Sequence, residues 1–484
     1  MQGRMPTTHH TGQVIATALA AVLALAACST TSPSTPSSST PGSSTPGSSG
    51  PAAPSAPGSA SSRGKVSPDF DGDAGPDLVV GVGGSNGQVS VRYANGRSLD
   101  FGTDDKADDH PDFGQALLAR DLNGDGLTDL VVADPSTTFG SSLTWLFGSA
   151  DGLDPAARQV TPIPDLPNAG RALALLTAPK PVLVVGGGTA KGSPVMVAYT
   201  LGADGLPAGE PQRITPDSLG LPSIPAGSRF GSTLAATGSL LVVGAPSVAV
   251  GSAPRAGAIY TIDAGETPWH ASRFTQDSPG VPDNAQEGDR FGAALSIGEG
   301  YLAVGVPGED RDGPGGRGQA RAGLVQPFAL SGHDLVPLPA IDQDPGKVEA
   351  GDGFGTAVTV LEPCPGGAGV LVGAPAEAIG STAQAGSIWV IPIKADQCWG
   401  QQFWDGQGLG AKAHENTLVG SAVSVLRLHG DGDTLVIAAP GVSEEGVRGR
   451  VLMLDFPYQD APVEALAGLS LAEERTIALS PPEG

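Results

Sequence analysis

Phe230-Gly231, then Leu241-Val242-Val243-Gly244-Ala245-Pro246, then Gly257-Ala258-Ile259-Tyr260-Thr261-Ile262: this spaced phrase decides the fold, because the chain repeats it. The central apolar run occurs seven times. Its other forms are Leu78-Val79-Val80-Gly81, Leu130-Val131-Val132-Ala133-Asp134-Pro135, Leu183-Val184-Val185-Gly186, Leu302-Ala303-Val304-Gly305-Val306-Pro307, Leu371-Val372-Gly373-Ala374-Pro375 and Leu435-Val436-Ile437-Ala438-Ala439-Pro440. They recur about every sixty residues, a spacing that marks a repeat architecture. Upstream of the run stands Phe-Gly, also at Phe113-Gly114, Phe291-Gly292 and Phe354-Gly355, worn down to Ala169-Gly170 and Val419-Gly420 in two repeats. Downstream stands an alternating strand opened by Gly, as in Gly386-Ser387-Ile388-Trp389-Val390-Ile391 and Gly449-Arg450-Val451-Leu452-Met453-Leu454.

A continuous apolar run requires burial on both faces. Sheets stacked radially supply this, since each strand near the axis is covered by a neighbouring blade on either side. Gly and Ala after the run suit a crowded inner turn, and Phe beside Gly puts a large wedge where the backbone must stay close. Short strands, about four to a repeat, with no helical segment give an all-β fold: a seven-bladed β-propeller over residues 64–484. Repeat one has no Phe-Gly strand ahead of it. The C-terminal stretches Ala467-Gly468-Leu469-Ser470-Leu471 and Thr476-Ile477-Ala478-Leu479 are the candidates to close the ring by completing blade one, with an eighth, truncated blade as the alternative.

Composition agrees. The chain has 484 residues, with 72 Gly and 44 Pro, a level that breaks helices, yet it is 39% hydrophobic, too apolar for a disordered chain. With 26 Lys+Arg against 50 Asp+Glu the net charge is −24, which argues against a nucleic-acid partner and suits cation binding or solubility.

Residues 1–27 read as a secretory signal: Arg4, an apolar stretch from Val14 to Ala27 too short to span a bilayer, and a small-residue end. Leu25-Ala26-Ala27-Cys28 resembles the lipobox of bacterial lipoproteins, which implies acylation of Cys28 and a lipid anchor in the membrane. Residues 28–63 form a disordered tether, with Ser29–Ser62 drawn only from Ser, Thr, Pro, Gly and Ala. Fully extended it reaches ~105 Å at about 3.1 Å per residue. The expected location is the outer face of a bacterial cytoplasmic membrane.

Phe-Gly followed by Gly-Ala-Pro resembles the FG-GAP repeat, the family that builds the propeller head of integrin alpha subunits; the likeness covers essentially all of 64–484. Two nine-residue loops carry chemistry. Asp121-Leu122-Asn123-Gly124-Asp125-Gly126-Leu127-Thr128-Asp129 places Asp121, Asn123, Asp125 and Asp129 at positions 1, 3, 5 and 9, with the Leu127 carbonyl at position 7. Asp69-Phe70-Asp71-Gly72-Asp73-Ala74-Gly75-Pro76-Asp77 repeats the spacing with Asp69, Asp71, Asp73 and Asp77, the Gly75 carbonyl, and Ala74 where a turn glycine is expected, a role Gly75 could take over. Alternate oxygens on a tight loop converge on one point, as Ca²⁺ requires. The resemblance implies the same ion, bound between the first two strands of a blade. Asp431-Gly432-Asp433 is too short for a ligand set and reads as a turn. Glu309-Asp310-Arg311-Asp312 reads as a solvated charged loop, with a loop-borne cation site as the alternative.

Cys364 and Cys398 form an even pair in an exported chain, so a disulfide is expected. His110, His270, His333, His414 and His429 lie in separate connections without metal-ligand spacing, and no G-x-S-x-G elbow occurs. The sequence therefore points to a lipid-anchored, Ca²⁺-binding, monomeric module that binds an extracellular protein or a cell-wall glycan. The alternative is an extracellular enzyme acting on polysaccharide across one propeller face.

Overall fold

The computed structural model describes residues 21–22, 68–82, 87–103, 110–136, 140–190, 192–313, 317–343, 348–362, 367–394, 401–405, 415–429, 432–444, 447–457 and 475–478. Their strands form seven four-stranded antiparallel sheets and one two-stranded ribbon. The sheets are the blades, numbered here in chain order, and the fold is the seven-bladed propeller the repeats predict. Blade 4 is representative: Thr233–Thr237, Leu240–Ala245, Ala258–Asp263 and Ala271–Phe274 pair in sequence order. Among the described residues the only helical turns are three-residue 3₁₀ segments such as Pro155–Ala157.

The apolar run is the second strand of each blade, and its alternate side chains face opposite seams. Leu241, Val243 and Ala245 pack against blade 3, whereas Leu240 and Val242 pack against blade 5. The same division holds for Val131 and Ala133 against Leu130 and Val132. Seven apolar clusters result, one per seam, and the last joins Leu78 and Val80 of blade 1 to Val436 and Ala438 of blade 7. The strand nearest the axis is the preceding one, not the run itself. It carries smaller residues, Ala235, Ser296, Thr359 and Ser424 among them, around a central channel of about 420 Å³. The axis strand mixes these small residues with Leu and Val, such as Leu117, Leu234 and Val358, so it lacks the continuous apolar run that marks its neighbour.

The chain ends depart from expectation. Arg475–Ala478 pairs with Arg450–Met453 as the outer strand of blade 7 and does not complete blade 1. The free outer edge of Val447–Pro457 offers an alternating segment its nearest backbone partners. The innermost position of blade 1 is taken by Ala21–Val22, paired with Val82 and Gly81. Residues 467–471 lie outside the described residues. In blade 7 His429 pairs with Gly432, so Gly432 and Asp433 belong to a strand rather than a turn; Asp431 lies outside the described residues.

Phe-Gly and Gly-Ala-Pro recur together because they touch. A Cβ on the second-strand glycine would meet the carbonyl oxygen of the Phe-Gly glycine of the next blade: Gly81 against Gly114 at 1.9 Å, Gly186 against Gly231 at 2.0 Å, Gly305 against Gly355 at 2.0 Å and Gly373 against Gly420 at 1.9 Å. The glycine that opens the third strand meets the preceding residue of the same turn, as Gly323 meets the Phe354 carbonyl at 2.1 Å. Alanine replaces the second-strand glycine in two blades. At Ala133 the facing Phe-Gly is degraded to Ala169-Gly170, and at Ala438 the sequence has no Phe-Gly ahead of blade 1. Gly373→Ala is expected to cost about 1–3 kcal/mol in urea unfolding, the usual range for overpacking, and Ala438→Gly about 1 kcal/mol or less.

Candidate metal centre

The two acidic loops share one hydrogen-bond frame. The position-1 carboxylate accepts from the N–H groups of positions 4 and 6: Asp69 from Gly72 (2.7 Å) and Ala74 (3.2 Å), Asp121 from Gly124 (2.7 Å) and Gly126 (3.0 Å). Position 3 accepts from position 5, through Asp71 Oδ1 from Asp73 and Asn123 Oδ1 from Asp125. Position 5 accepts from position 7, through Asp73 Oδ1 from Gly75 and Asp125 Oδ1 from Leu127. Position 9 reaches back to position 2 and across to the outer hairpin: Asp77 accepts from Phe70 and Ala94, Asp129 from Leu122 and Gly148. The same hydrogen-bond frame therefore orders the side-chain oxygens of positions 1, 3, 5 and 9 in both loops. In the first loop, ligand oxygens of Asp69, Asp71 and Asp77 lie within 4.8 Å of one another. These hard oxygens fit a Ca²⁺ donor set.

Positions 4 and 6 are left-handed in both loops. Gly72, Gly124 and Gly126 adopt this easily, but Ala74 itself takes φ 65° at position 6. The turn role therefore stays with Ala74 and does not move to Gly75. The loops stand side by side across the blade 1–blade 2 seam: Thr128 N–H donates to the Asp69 carbonyl (2.8 Å), and Asp69 N–H to Thr128 Oγ1 (3.0 Å). Phe70, between them, is fully buried.

Charge is concentrated without full compensation. Arg97 Nη2 (2.7 Å) and Asn95 Nδ2 (2.8 Å) both donate to Asp71 Oδ2. Four aspartates less one arginine leave −3 in the first loop, and Asp121, Asp125 and Asp129 make −3 in the second. Burial pushes Asp77 and Asp129 up to about 6, against their own backbone hydrogen bonds.

Other polar groups fall where the sequence gave little signal. Glu309 is only 1% exposed and accepts from Gln276 Nε2, so this residue departs from the solvated loop expected, whereas Asp310 and Asp312 beside it are exposed. Its partners Gln276 and Asp289 lie at the two ends of one other connection, and no short motif links them. His110 Nδ1 sits 2.5 Å from Asp134 Oδ2, both buried or nearly so. His333 joins Ser239 Oγ (2.8 Å) to Asp263 Oδ2 (3.2 Å). This order resembles a catalytic triad, but His333 and Asp263 are 43% and 31% exposed on open turns, so the chain ties the rims of blades 4 and 5 in water. Cys28, Cys364 and Cys398 lie outside the described residues.

The FG-GAP repeat profile matches residues 113–143, from Phe113-Gly114 through the second acidic loop into the third strand of blade 2. The chain carries an FG-GAP repeat. No curated protein matches the chain. Among solved structures, the propeller is similar to the N-terminal domain of Nup159, at 12% identity and TM-score 0.36 over 68% of this chain and 71% of that one. It is also similar to AofleA from Arthrobotrys oligospora, at 8% identity and TM-score 0.40 over 76% and 87%. Neither likeness bears on function.

Two outcomes follow from the loops. Ala74→Gly is expected to leave stability unchanged or raise it by up to about 1 kcal/mol, whereas Gly126→Ala lowers it by about 1–2 kcal/mol, because an L residue in the left-handed region is strained. In chelator, the folded state holds protons on Asp77 and Asp129 between the ordinary 3.8 and about 6, and the unfolded state does not. Their contribution to stability is therefore full below that window and is lost as pH rises through it. Thermal melts in EDTA should fall between about pH 4 and 6, and the fall should shrink in Asp77→Asn/Asp129→Asn.

Proposed function

We propose that the protein is a calcium-stabilised FG-GAP propeller, held outside the cell by a lipid on Cys28 and used as a binding module. An FG-GAP β-propeller supports an interaction role in general. The observation that carries calcium is the nine-position frame repeated in two adjacent loops, with three carboxylates within 4.8 Å in the first. The lipid anchor rests on Leu25-Ala26-Ala27-Cys28. Cleavage before Cys28 removes Ala21–Val22 from blade 1, leaving that blade three described strands and the Leu78–Val436 seam to hold it against blade 7. The partner is an extracellular protein or a cell-wall glycan. Its surface is formed by the connections after the second strands, at 247–255 and 307–322, on the face opposite the calcium loops.

A second reading, an enzyme acting on polysaccharide, is favoured by one observation. A cleft of about 400 Å³ beside blade 5 is lined by Asp310, Asp312 and Asp342, with Arg311 bridging Asp342 and Asp283.

Calcium at 100 times its Kd should stabilise the head by about 2.7 kcal/mol per site over EDTA. Asp69→Asn/Asp121→Asn should remove the share of the effect that comes from the two hairpin loops, and equal melts of the unaltered head in calcium and EDTA would contradict it. A wall-fraction pull-down should be calcium-dependent; glycan cleavage without retention would favour the enzyme. Cys28→Ala should release the protein from membranes.

A further inference from the structure

The turns after the second strands of blades 5 and 6 each bury a glutamate, in pockets built alike. In the first, Gln276 Nε2 donates to Glu309 Oε2 at 2.5 Å, with Asp289 alongside. In the second, Gln343 Nε2 donates to Glu377 Oε2 at 2.5 Å, and Gln343 also hydrogen-bonds Asp352. All six side chains are at most 4% exposed. In both pockets the amide carbonyl oxygen, Gln276 Oε1 or Gln343 Oε1, is buried with no donor. A buried acceptor without a donor and two desolvated carboxylates share one remedy, a positive charge between them.

The repeats provide an internal comparison. Blade 4 makes the same backbone connection, Gly257 N–H to the Val248 carbonyl at 3.0 Å, as Gly323 makes to Glu309 and Gly386 to Glu377, both at 3.0 Å. There Pro216 stands in place of Gln276, Ser228 in place of Asp289 and Val248 in place of Glu309. The glutamine, aspartate and glutamate are present together in two blades and absent together in this one. A backbone scaffold that needed only hydrogen bonds has no reason to exchange all three.

We propose that Gln276, Asp289 and Glu309, and again Gln343, Asp352 and Glu377, form two inter-blade sites for a hard divalent cation. Two carboxylates balance its charge, and the orphan amide oxygen is a neutral third ligand of the oxygen type such ions take. Each set draws its glutamine and aspartate from the two ends of the connection between one blade's outer strand and the next blade, and its glutamate from the turn after that next blade's second strand, so the ion ties blade 4 to 5 and blade 5 to 6. Arg311 does not serve in its place, being held by Asp283 at 2.9 Å and by Asp342. Burial pushes Glu309 to about 8, Asp289 to about 7 and Asp352 to about 6, because a desolvated carboxylate is costly to charge. These sites stand on the face opposite the acidic hairpin loops and do not depend on them.

The test uses Mn²⁺ as the probe. Crystals of the full chain soaked in Mn²⁺ above pH 8 should give anomalous peaks touching Gln276 Oε1 and Gln343 Oε1. In solution, the blade 4 set Gln276→Pro/Asp289→Ser/Glu309→Val should bind one Mn²⁺ fewer per chain, and Asp352→Ser/Glu377→Val likewise. Asp69→Asn and Asp121→Asn report on the hairpin loops separately and should leave these two equivalents in place. Absence of both anomalous peaks overturns the proposal, since protons then neutralise the pockets. So does an unchanged Mn²⁺ count in either variant with native circular dichroism. Should the variants fail to fold, the anomalous map of the unaltered protein decides.

Discussion

Each blade meets the next where two backbones come closer than any Cβ allows. The second-strand glycine of one blade faces the Phe-Gly carbonyl of the following one, with no room for a methyl group at Gly81, Gly186, Gly305 or Gly373. This contact sets the distance between sheets, and the alternating Leu and Val of the run fill the space beside it. The phenylalanine of the same turn is buried in the seam: Phe230 against Tyr260 at 5.2 Å, Phe354 against Trp389 at 6.2 Å. Close approach and large wedge are thus two halves of one joint; both are lost at Ala133 and Ala169, whereas Gly373 keeps its close approach to Gly420 although Val419 replaces the phenylalanine.

Charge is distributed on a different principle. The seams are apolar near the axis, whereas the acidic groups gather on the connections between strands, where blades would otherwise be held only by loops. The hairpin loops of blades 1 and 2 interlock through Thr128 and Asp69 on one face. The Gln-Asp-Glu pockets of blades 5 and 6 sit on the other. Cations at either place would convert part of the −24 charge from a repulsive surface into cross-blade ties.

The blade count, the strand that carries the hydrophobic run and both acidic loops were legible in the sequence, because each is a local phrase with a fixed spacing. Ala74 shows the limit of that kind of reading: a glycine rule at one position gave way to the geometry of the whole loop, which holds φ positive through Asp69. The axis strand lies one strand further in than the apolar run, because its mixture of Ala, Ser and Thr with Leu and Val makes no continuous run for a sequence reading to catch. Gln276, Asp289 and Glu309 leave no local phrase, because they come from two connections and stand 13 and 20 residues apart, meeting only after the strands between them pair. The C-terminal strand was assigned to the wrong blade, since period-two alternation identifies a strand but not its partner.

The central claim, that Phe-Gly and the second-strand glycine form one joint, is tested most directly by a double-mutant cycle on Gly305 and Phe354. Gly305→Ala pushes the Gly355 carbonyl away, and Phe354→Ala removes the anchor that holds it in place. The account predicts that the double variant loses less stability than the sum of the single losses, by about 0.5–3 kcal/mol. Strict additivity would contradict it.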